Sequence, residues 1–148
     1  MQSMQTRFFA LALGLFYLLI GILGLIPALY TTPPADAPSV SVTAGYGLLF
    51  GQFPVNAVHD IVNVVIGLLG IGAGARFGSA RFFNMTMFLL LGVAACFGFI
   101  PTLNTLGGIL PMWSPDTWVH MASAILAGFF GYVVPESTHV EPAVVHAH

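Results

Sequence analysis

Four long apolar stretches constrain this chain more than any other feature of its sequence. The hydrocarbon core of a bilayer is about 30 Å thick, and a helix of roughly 20 apolar residues crosses it. The stretches of that length are Phe8–Pro27, Val55–Gly74, Phe82–Pro101 and Asp116–Val134. They predict an all-α fold, an integral membrane four-helix bundle. Residues 1–134 should form a single transmembrane domain, and the polar residues 135–148 a flexible tail.

The scarcity of charge indicates that lipid, rather than water, surrounds most of the chain. Only 5% of the residues are charged and 57% are hydrophobic, whereas a soluble domain carries about 25% charged residues. The bilayer is therefore the first predicted partner. With three arginines and no lysine, the chain has no basic surface for a nucleic acid. Its one cysteine, Cys96, excludes an internal disulfide.

The positions of the arginines predict how the spans are oriented. Arg7 precedes the first span, Arg76 and Arg81 lie between the second and third, and the other two connections contain none. Cytoplasmic connections are enriched in arginine and lysine. Both termini, with the tail, should therefore be cytoplasmic, and residues 28–54 and 102–115 should face the other side.

The two halves of the chain share an equally spaced pattern of residues. The matched positions, first half and then second half, are residues 7–9 and 81–83, residues 24–27 and 98–101, Pro54 and Pro115, and His59 and His120. Arginine and histidine are scarce here, so their coincidence in order, together with the prolines, indicates duplication. We predict two tandem helical hairpins that form a parallel repeat about an axis along the membrane normal.

Polar residues cluster where the second and fourth spans begin. Positions three or four residues apart share one face of a helix. A polar side chain facing hydrocarbon is costly, so this face should turn inward and meet its counterpart between the helices. Below it, small residues should let the helices approach closely. The polar residues are Asn56, His59, Asp60 and Asn63 on the second span and Asp116, His120 and Ser123 on the fourth, and the small residues of the second span are Gly67, Gly70 and Gly74.

Three functions are open for this polar set. In the first, it is a hydrogen-bonded clasp in a non-enzymatic accessory or scaffold subunit, which self-associates through its glycine faces or joins a larger membrane complex. In the second, His59 and His120 are axial ligands of a tetrapyrrole, either haem or chlorophyll. In the third, the set lines a proton or small-solute path, which the apolar inner half of the spans disfavours.

The sequence contains no pattern that predicts catalysis. We find no nucleophile beside a base, no glycine-rich phosphate loop and no pair of metal ligands within one helix. We therefore expect no enzymatic activity, no catalytic residue and no metal site.

Two motifs resemble a family of small bacterial four-span membrane proteins, catalogued as domain of unknown function 4383. One is Phe-Pro-Val-Asn-x-x-His, which ends at His59, and the other is Asp-x-x-x-His, from Asp116 to His120. The resemblance covers roughly residues 8–133 and supplies no activity. The family is widespread in actinobacteria and cyanobacteria, which implies a plasma or thylakoid membrane.

The sequence departs from the family pattern just after the first motif. The pattern has an asparagine after the histidine and a second histidine four residues on, where this chain has Asp60 and Asn63. A ligand role for that second histidine is therefore not carried over.

Overall fold

The computed structural model describes residues 3–75 and 79–136, and these are mostly helical, as the sequence predicted. The helices are α1 (Met4–Gly24), α2 (Ala57–Ala75), α3 (Ala80–Gly98) and α4 (Pro115–Gly128), with a π-helical segment, Phe129–Val133, continuing α4. Apart from residues 135 and 136, the predicted tail lies outside the described residues, and so does Arg76.

Three of the helices, α1, α2 and α3, are long and apolar enough to cross a membrane. Their ends differ by a few residues from the predicted spans. α1 begins at Met4 instead of Phe8, since the Ser3 side chain accepts a hydrogen bond from the Thr6 amide at 3.1 Å. α2 begins at Ala57 because Val55 belongs to a strand.

The helices associate in two pairs. The first helix pair is α1 with α2, and the second is α3 with α4. In the first pair, Gly14 on α1 crosses Gly70 on α2 so closely that a Cβ atom on Gly14 would lie 2.6–2.8 Å from backbone atoms of α2. Gly67, Gly70 and Gly74 are all buried. Because these glycines have no side chain, the two helices approach each other closely, as small residues allow in membrane helices.

At one end of the molecule, here called the arginine end, an arginine from the first helix of each pair binds carbonyls at the end of the second helix. Arg7 donates from Nε to the Gly74 carbonyl at 3.1 Å and from Nη2 to the Ala75 carbonyl at 3.3 Å. Arg81 donates to the Val134 carbonyl at 3.4 Å and lies 3.6 Å from the Glu136 carboxylate. Cations at helix C-termini satisfy the last carbonyls and complement the helix dipole.

At the opposite end, the sheet end, three short strands cover the helices. β1 (Tyr30–Thr31), β2 (Gly47–Leu49) and β3 (Phe53–Val55) form an antiparallel sheet in that order, with Leu48 opposite Pro54. The turn between β2 and β3 uses Phe50 and Gly51 at positive φ. The apolar piece before α2 is therefore a β-hairpin rather than a helix, and it delivers the chain to the start of α2.

The two connections at the sheet end are bonded to each other. The amides of Ser41 and Val42 donate to the Gly108 carbonyl at 2.8 and 3.1 Å. At the arginine end the two pairs meet through Thr6, whose carbonyl accepts from Asn84 Nδ2 at 3.2 Å, and through the stacked rings of Phe9 and Phe130, 4.5 Å apart. The pairs are thus joined at both ends.

The glycine crossing yields a stability prediction. Gly14→Ala places a methyl group against the backbone of α2, so we expect the free energy of unfolding to fall by about 1–3 kcal/mol, as overpacking does elsewhere. Unfolding by titration with a denaturing detergent measures the effect.

The matched control is Gly72→Ala on α2. Beyond the adjacent residues and the backbone of the same helix turns, no atom of the described residues lies within 4 Å of a Cβ placed there, so stability should be unchanged or slightly raised. Equal effects of the two substitutions would contradict the role given to the crossing.

Candidate functional site

The seven polar residues singled out from the sequence are all removed from the surface, each at most 7% exposed. The faces that surround them carry exposed apolar side chains, such as Val65 on α2 and Ile125 on α4. The polar face is therefore turned into the protein, at the sheet end. The seven residues do not form one group, however, because only three of them meet in a cluster and the other four have different neighbours.

The centre of the site is a cluster of three side chains, His59, Asp116 and His120, here called the His–Asp–His cluster. His59 Nε2 lies 3.8 Å and His120 Nδ1 lies 3.5 Å from Asp116 Oδ2. The two imidazole rings have centroids 6.0 Å apart and planes inclined by 72°. The cluster lies between the two helix pairs, since His59 comes from α2 and the other two residues from α4.

His59 is held in one orientation by the residues that precede it. Asn56 caps α2, and its Oδ1 accepts a hydrogen bond from the His59 amide at 2.9 Å. His59 Nδ1 lies 3.2 Å from the Pro54 carbonyl. A carbonyl oxygen only accepts, so Nδ1 carries a hydrogen, and a ring that is neutral then has its lone pair on Nε2, on the side of Asp116.

Asp116 and His120 are placed by the start of α4. Pro115 occupies the first turn, where its missing N–H costs nothing. Asp116 follows in that turn, where the helix dipole favours a carboxylate. His120 is four residues further on, one turn along the same face. Asp116 and His120 are therefore a carboxylate and an imidazole at a spacing that metal ligands can have within one helix, a pair that the sequence-based expectation of no metal site left out.

The three atoms at the centre of the cluster have no hydrogen-bond partner within residues 3–75 and 79–136. They are His59 Nε2, Asp116 Oδ2 and His120 Nδ1. Their separations of 3.5 and 3.8 Å exceed the range of roughly 2.7–3.2 Å for a hydrogen bond. A buried polar atom left in this state costs about 1–3 kcal/mol. The predicted clasp therefore lacks direct hydrogen bonds at its own centre.

Asp60 takes a different direction from His59. Its carboxylate lies against Gly24 of α1, where only a residue without a side chain leaves room for it. Both carboxylate oxygens are buried, without a partner in the described part of the chain. Adjacent residues of a helix do not face the same neighbour. Contrary to the prediction, Asp60 therefore meets the first span and not the fourth.

Asn56 ties the two connections of the sheet end to α2. Its Nδ2 donates to the Val42 carbonyl at 3.2 Å and to the Ile109 carbonyl at 2.8 Å. The residue is fully buried. The nitrogen and the oxygen of its side-chain amide therefore both bond to backbone groups. Asn56 thus positions His59 rather than pairing with α4.

Ser123 has a neighbour that the sequence analysis missed. Tyr17 of α1 is 2% exposed, and its hydroxyl lies beside Ser123 without a partner at hydrogen-bond geometry among the described residues. The sequence does contain a signal for this contact, because a buried tyrosine in an apolar span needs a polar neighbour for its hydroxyl. α1 thus also contributes to the centre of the molecule.

A cavity of about 260 Å³ adjoins the cluster, and both imidazoles form part of its wall. Asn63 adds the third polar side chain, and the rest of the lining is mostly apolar. Val62 of α2 and Leu90 of α3, which line it, are also exposed on the surface. The cavity therefore leads from the histidines to the outside of the protein between α2 and α3.

A family model described as "Domain of unknown function (DUF4383)" matches residues 7–133. The chain belongs to this family, as the two motifs predicted. The matched region contains the whole His–Asp–His cluster together with Asn56 and Tyr17. No curated protein and no solved structure matches the chain. The geometry of the site is therefore the basis for assigning a function.

The role of Asn56 yields a second prediction. Asn56→Ala removes a helix cap and leaves the partly buried carbonyls of Val42 and Ile109 without this donor, so we expect the free energy of unfolding to fall by about 2 kcal/mol. Chemical denaturation in detergent micelles measures it. Gln52→Ala, at an exposed turn position, is the control and should have little effect. A neutral Asn56→Ala would show that the connections are held by other contacts.

Proposed function

We propose that this member of the DUF4383 family is a four-span membrane protein without enzymatic activity, an accessory or scaffold subunit of a bacterial plasma or thylakoid membrane. In this proposal α4 and its π-helical continuation form the fourth span, and both termini are cytoplasmic. The His–Asp–His cluster is the lock that holds the two helix pairs together on the opposite side of the membrane.

The surface of α4 supports the fourth span. A helix that met water along one side would carry polar residues there. The side chains that α4 and its continuation present to the surroundings are instead large and apolar, and each is about half or more exposed: Trp118, Ile125, Leu126, Phe129, Tyr132 and Val133. An apolar girdle of this kind suits lipid.

The two arginines support the duplicated hairpin. Arg7 and Arg81 occupy equivalent positions in the two halves of the sequence. Each reaches the carbonyls that end the second helix of its own pair, at Gly74 and Ala75 in one case and at Val134 in the other. A shared contact at equivalent positions is expected of a repeated unit.

The main support for the lock is that its three residues come from both helix pairs. α1 packs mainly on α2 and α3 mainly on α4, yet His59 of the first pair and Asp116 and His120 of the second meet in a buried cluster. Lipid supplies no hydrophobic force between helices, so polar contacts and close packing determine how such pairs associate. The cluster is placed to join them.

The same geometry makes a lock a better proposal than a tetrapyrrole or a path. Asp116 Oδ2 lies within 3.8 Å of a nitrogen of each imidazole, so a macrocycle between the rings would have to displace the carboxylate. The adjoining cavity of about 260 Å³ is below the range of roughly 300–1,000 Å³ typical of organic-ligand sites. Below the cluster, Gly67 and Gly70 lie against α1, which leaves no polar route inward.

A double-mutant cycle tests the lock. His59→Leu and His120→Leu should each lower the free energy of unfolding by about 0.6–2 kcal/mol, and the double variant should lose less than the sum because the residues act together. Val65→Leu, on the exposed face of α2, is the control and should be neutral. Strictly additive losses would exclude a shared contact.

Cysteine labelling tests the spans and their orientation. In a Cys96→Ala background, a membrane-impermeant thiol reagent should label Ser41→Cys from outside the cell, and should label Ser79→Cys and Glu136→Cys only after permeabilisation. The reverse pattern would overturn the orientation. Labelling of position 136 together with position 41 would show that α4 does not cross.

A further inference from the structure

We infer that a divalent transition-metal ion binds at the centre of the lock, with His59 Nε2, His120 Nδ1 and Asp116 Oδ2 as its ligands. The inference rests on the proposed function in one respect, namely that these residues join the two helix pairs. It accounts for the feature that the lock alone leaves unexplained, three buried atoms that face one another without hydrogen bonds.

The donor set is one that such metals prefer. Two imidazole nitrogens and one carboxylate oxygen bind zinc in sites that keep a fourth position open, and the same set binds non-haem iron. Thiolates, which would favour copper(I), are absent from the cluster. Calcium and magnesium prefer oxygen ligands, and the cluster offers only one carboxylate.

The distances between the donor atoms are close to those that a metal requires. Zinc binds nitrogen and oxygen at about 2.0–2.2 Å, so two ligands at the tetrahedral angle lie about 3.3–3.5 Å apart. His120 Nδ1 and Asp116 Oδ2 are 3.5 Å apart, and His59 Nε2 and Asp116 Oδ2 are 3.8 Å apart. All three donor atoms lie within 4.8 Å of one another, so small rotations of the imidazoles complete the site.

The surroundings of His59 resemble those of an established metal ligand. A coordinating imidazole usually donates its other N–H to a carboxylate or a backbone carbonyl, which fixes the tautomer that presents a lone pair to the ion. His59 Nδ1 faces the Pro54 carbonyl at 3.2 Å, and the Asn56 cap fixes the backbone. One ligand is therefore oriented before any ion arrives.

The energetics of burial favour the ion. The residues His59, Asp116 and His120 are 4–7% exposed, and a carboxylate so placed is costly unless a cation or several donors satisfy it. A divalent ion supplies all three donor atoms with a partner and offsets the charge of Asp116. It also replaces the hydrogen bonds that the clasp lacks.

The cavity beside the cluster provides for the fourth ligand. Three protein ligands leave one position of a tetrahedral ion unfilled. Both imidazoles line the cavity of about 260 Å³, which has room for a water molecule at that position. The ion therefore has a place for an exchangeable ligand.

Metal analysis of the full-length protein, purified in detergent without an affinity tag, is the direct test. After treatment with a chelator, loading with Zn²⁺ and removal of the excess, we expect about one zinc per chain. His59→Ala, His120→Ala and Asp116→Asn should each reduce this at least tenfold. Co²⁺ in place of Zn²⁺ should give the visible absorption of a tetrahedral site, and the same variants should abolish it.

Two controls separate this site from others in the chain. Asp60→Asn alters the buried carboxylate that faces α1, and it should leave zinc binding unchanged. Replacing His139, His146 and His148 with alanine removes the histidines of the C-terminal segment, which lies outside the described residues. If that variant loses the zinc and the cluster variants keep it, the ion is adventitious and the inference is wrong.

A stability measurement distinguishes failure of this inference from failure of the lock. Zn²⁺ at a hundredfold excess over its Kd should raise the unfolding midpoint of the wild type by about 5–10 °C, and a chelator should reverse the rise. If no zinc binds but His59→Leu and His120→Leu remain coupled, the lock stands without a metal. If zinc binds and those variants are uncoupled in its absence, the metal site stands and a metal-free lock is excluded.

Discussion

Satisfying polar groups away from water is the constraint on which the rest of this structure depends. Three of the helices are long and apolar enough to cross a membrane, and apolar helices in lipid gain nothing by burying apolar surface against each other, so that close packing and polar contacts must hold them together. The first helix pair uses close packing, with Gly14 against Gly70. Between the pairs the contacts are polar at the sheet end, at His59, Asp116 and His120, and mixed at the arginine end, where Asn84 donates to Thr6.

The sheet end is more ordered than its short strands suggest, because side chains there bind backbone groups of several segments. Asn56 caps α2 and donates to carbonyls of both connections, while Thr117 Oγ1 donates to the Met112 carbonyl at 2.7 Å. These bonds fix the first turns of α2 and α4. The His–Asp–His cluster therefore lies on rigid supports, which is what a binding site of defined geometry requires.

The sequence was sufficient for the helices and for the inward polar face, because both follow from periodicity and length. The sequence was insufficient where the position of a side chain depends on contacts with other segments of the chain. Spacing alone places His59 and Asp60 on roughly one side of a helix, and only packing decides that one meets α4 and the other Gly24 of α1. The hairpin at Gly47–Leu49 was left open since a short apolar run fits a strand or a helix equally. Tyr17 reaches Ser123 from a span without polar periodicity.

The bonds between the two connections have a consequence for the order in which the protein is made. Asn56 Nδ2 and the amides of Ser41 and Val42 belong to the first half of the chain, but their acceptors, the carbonyls of Ile109 and Gly108, belong to the second. While the ribosome has produced only the first two helices, the Ser41 and Val42 amides lack this acceptor, and Asn56 Nδ2 has only the Val42 carbonyl. These contacts of the first half are therefore completed only when the second half has been made.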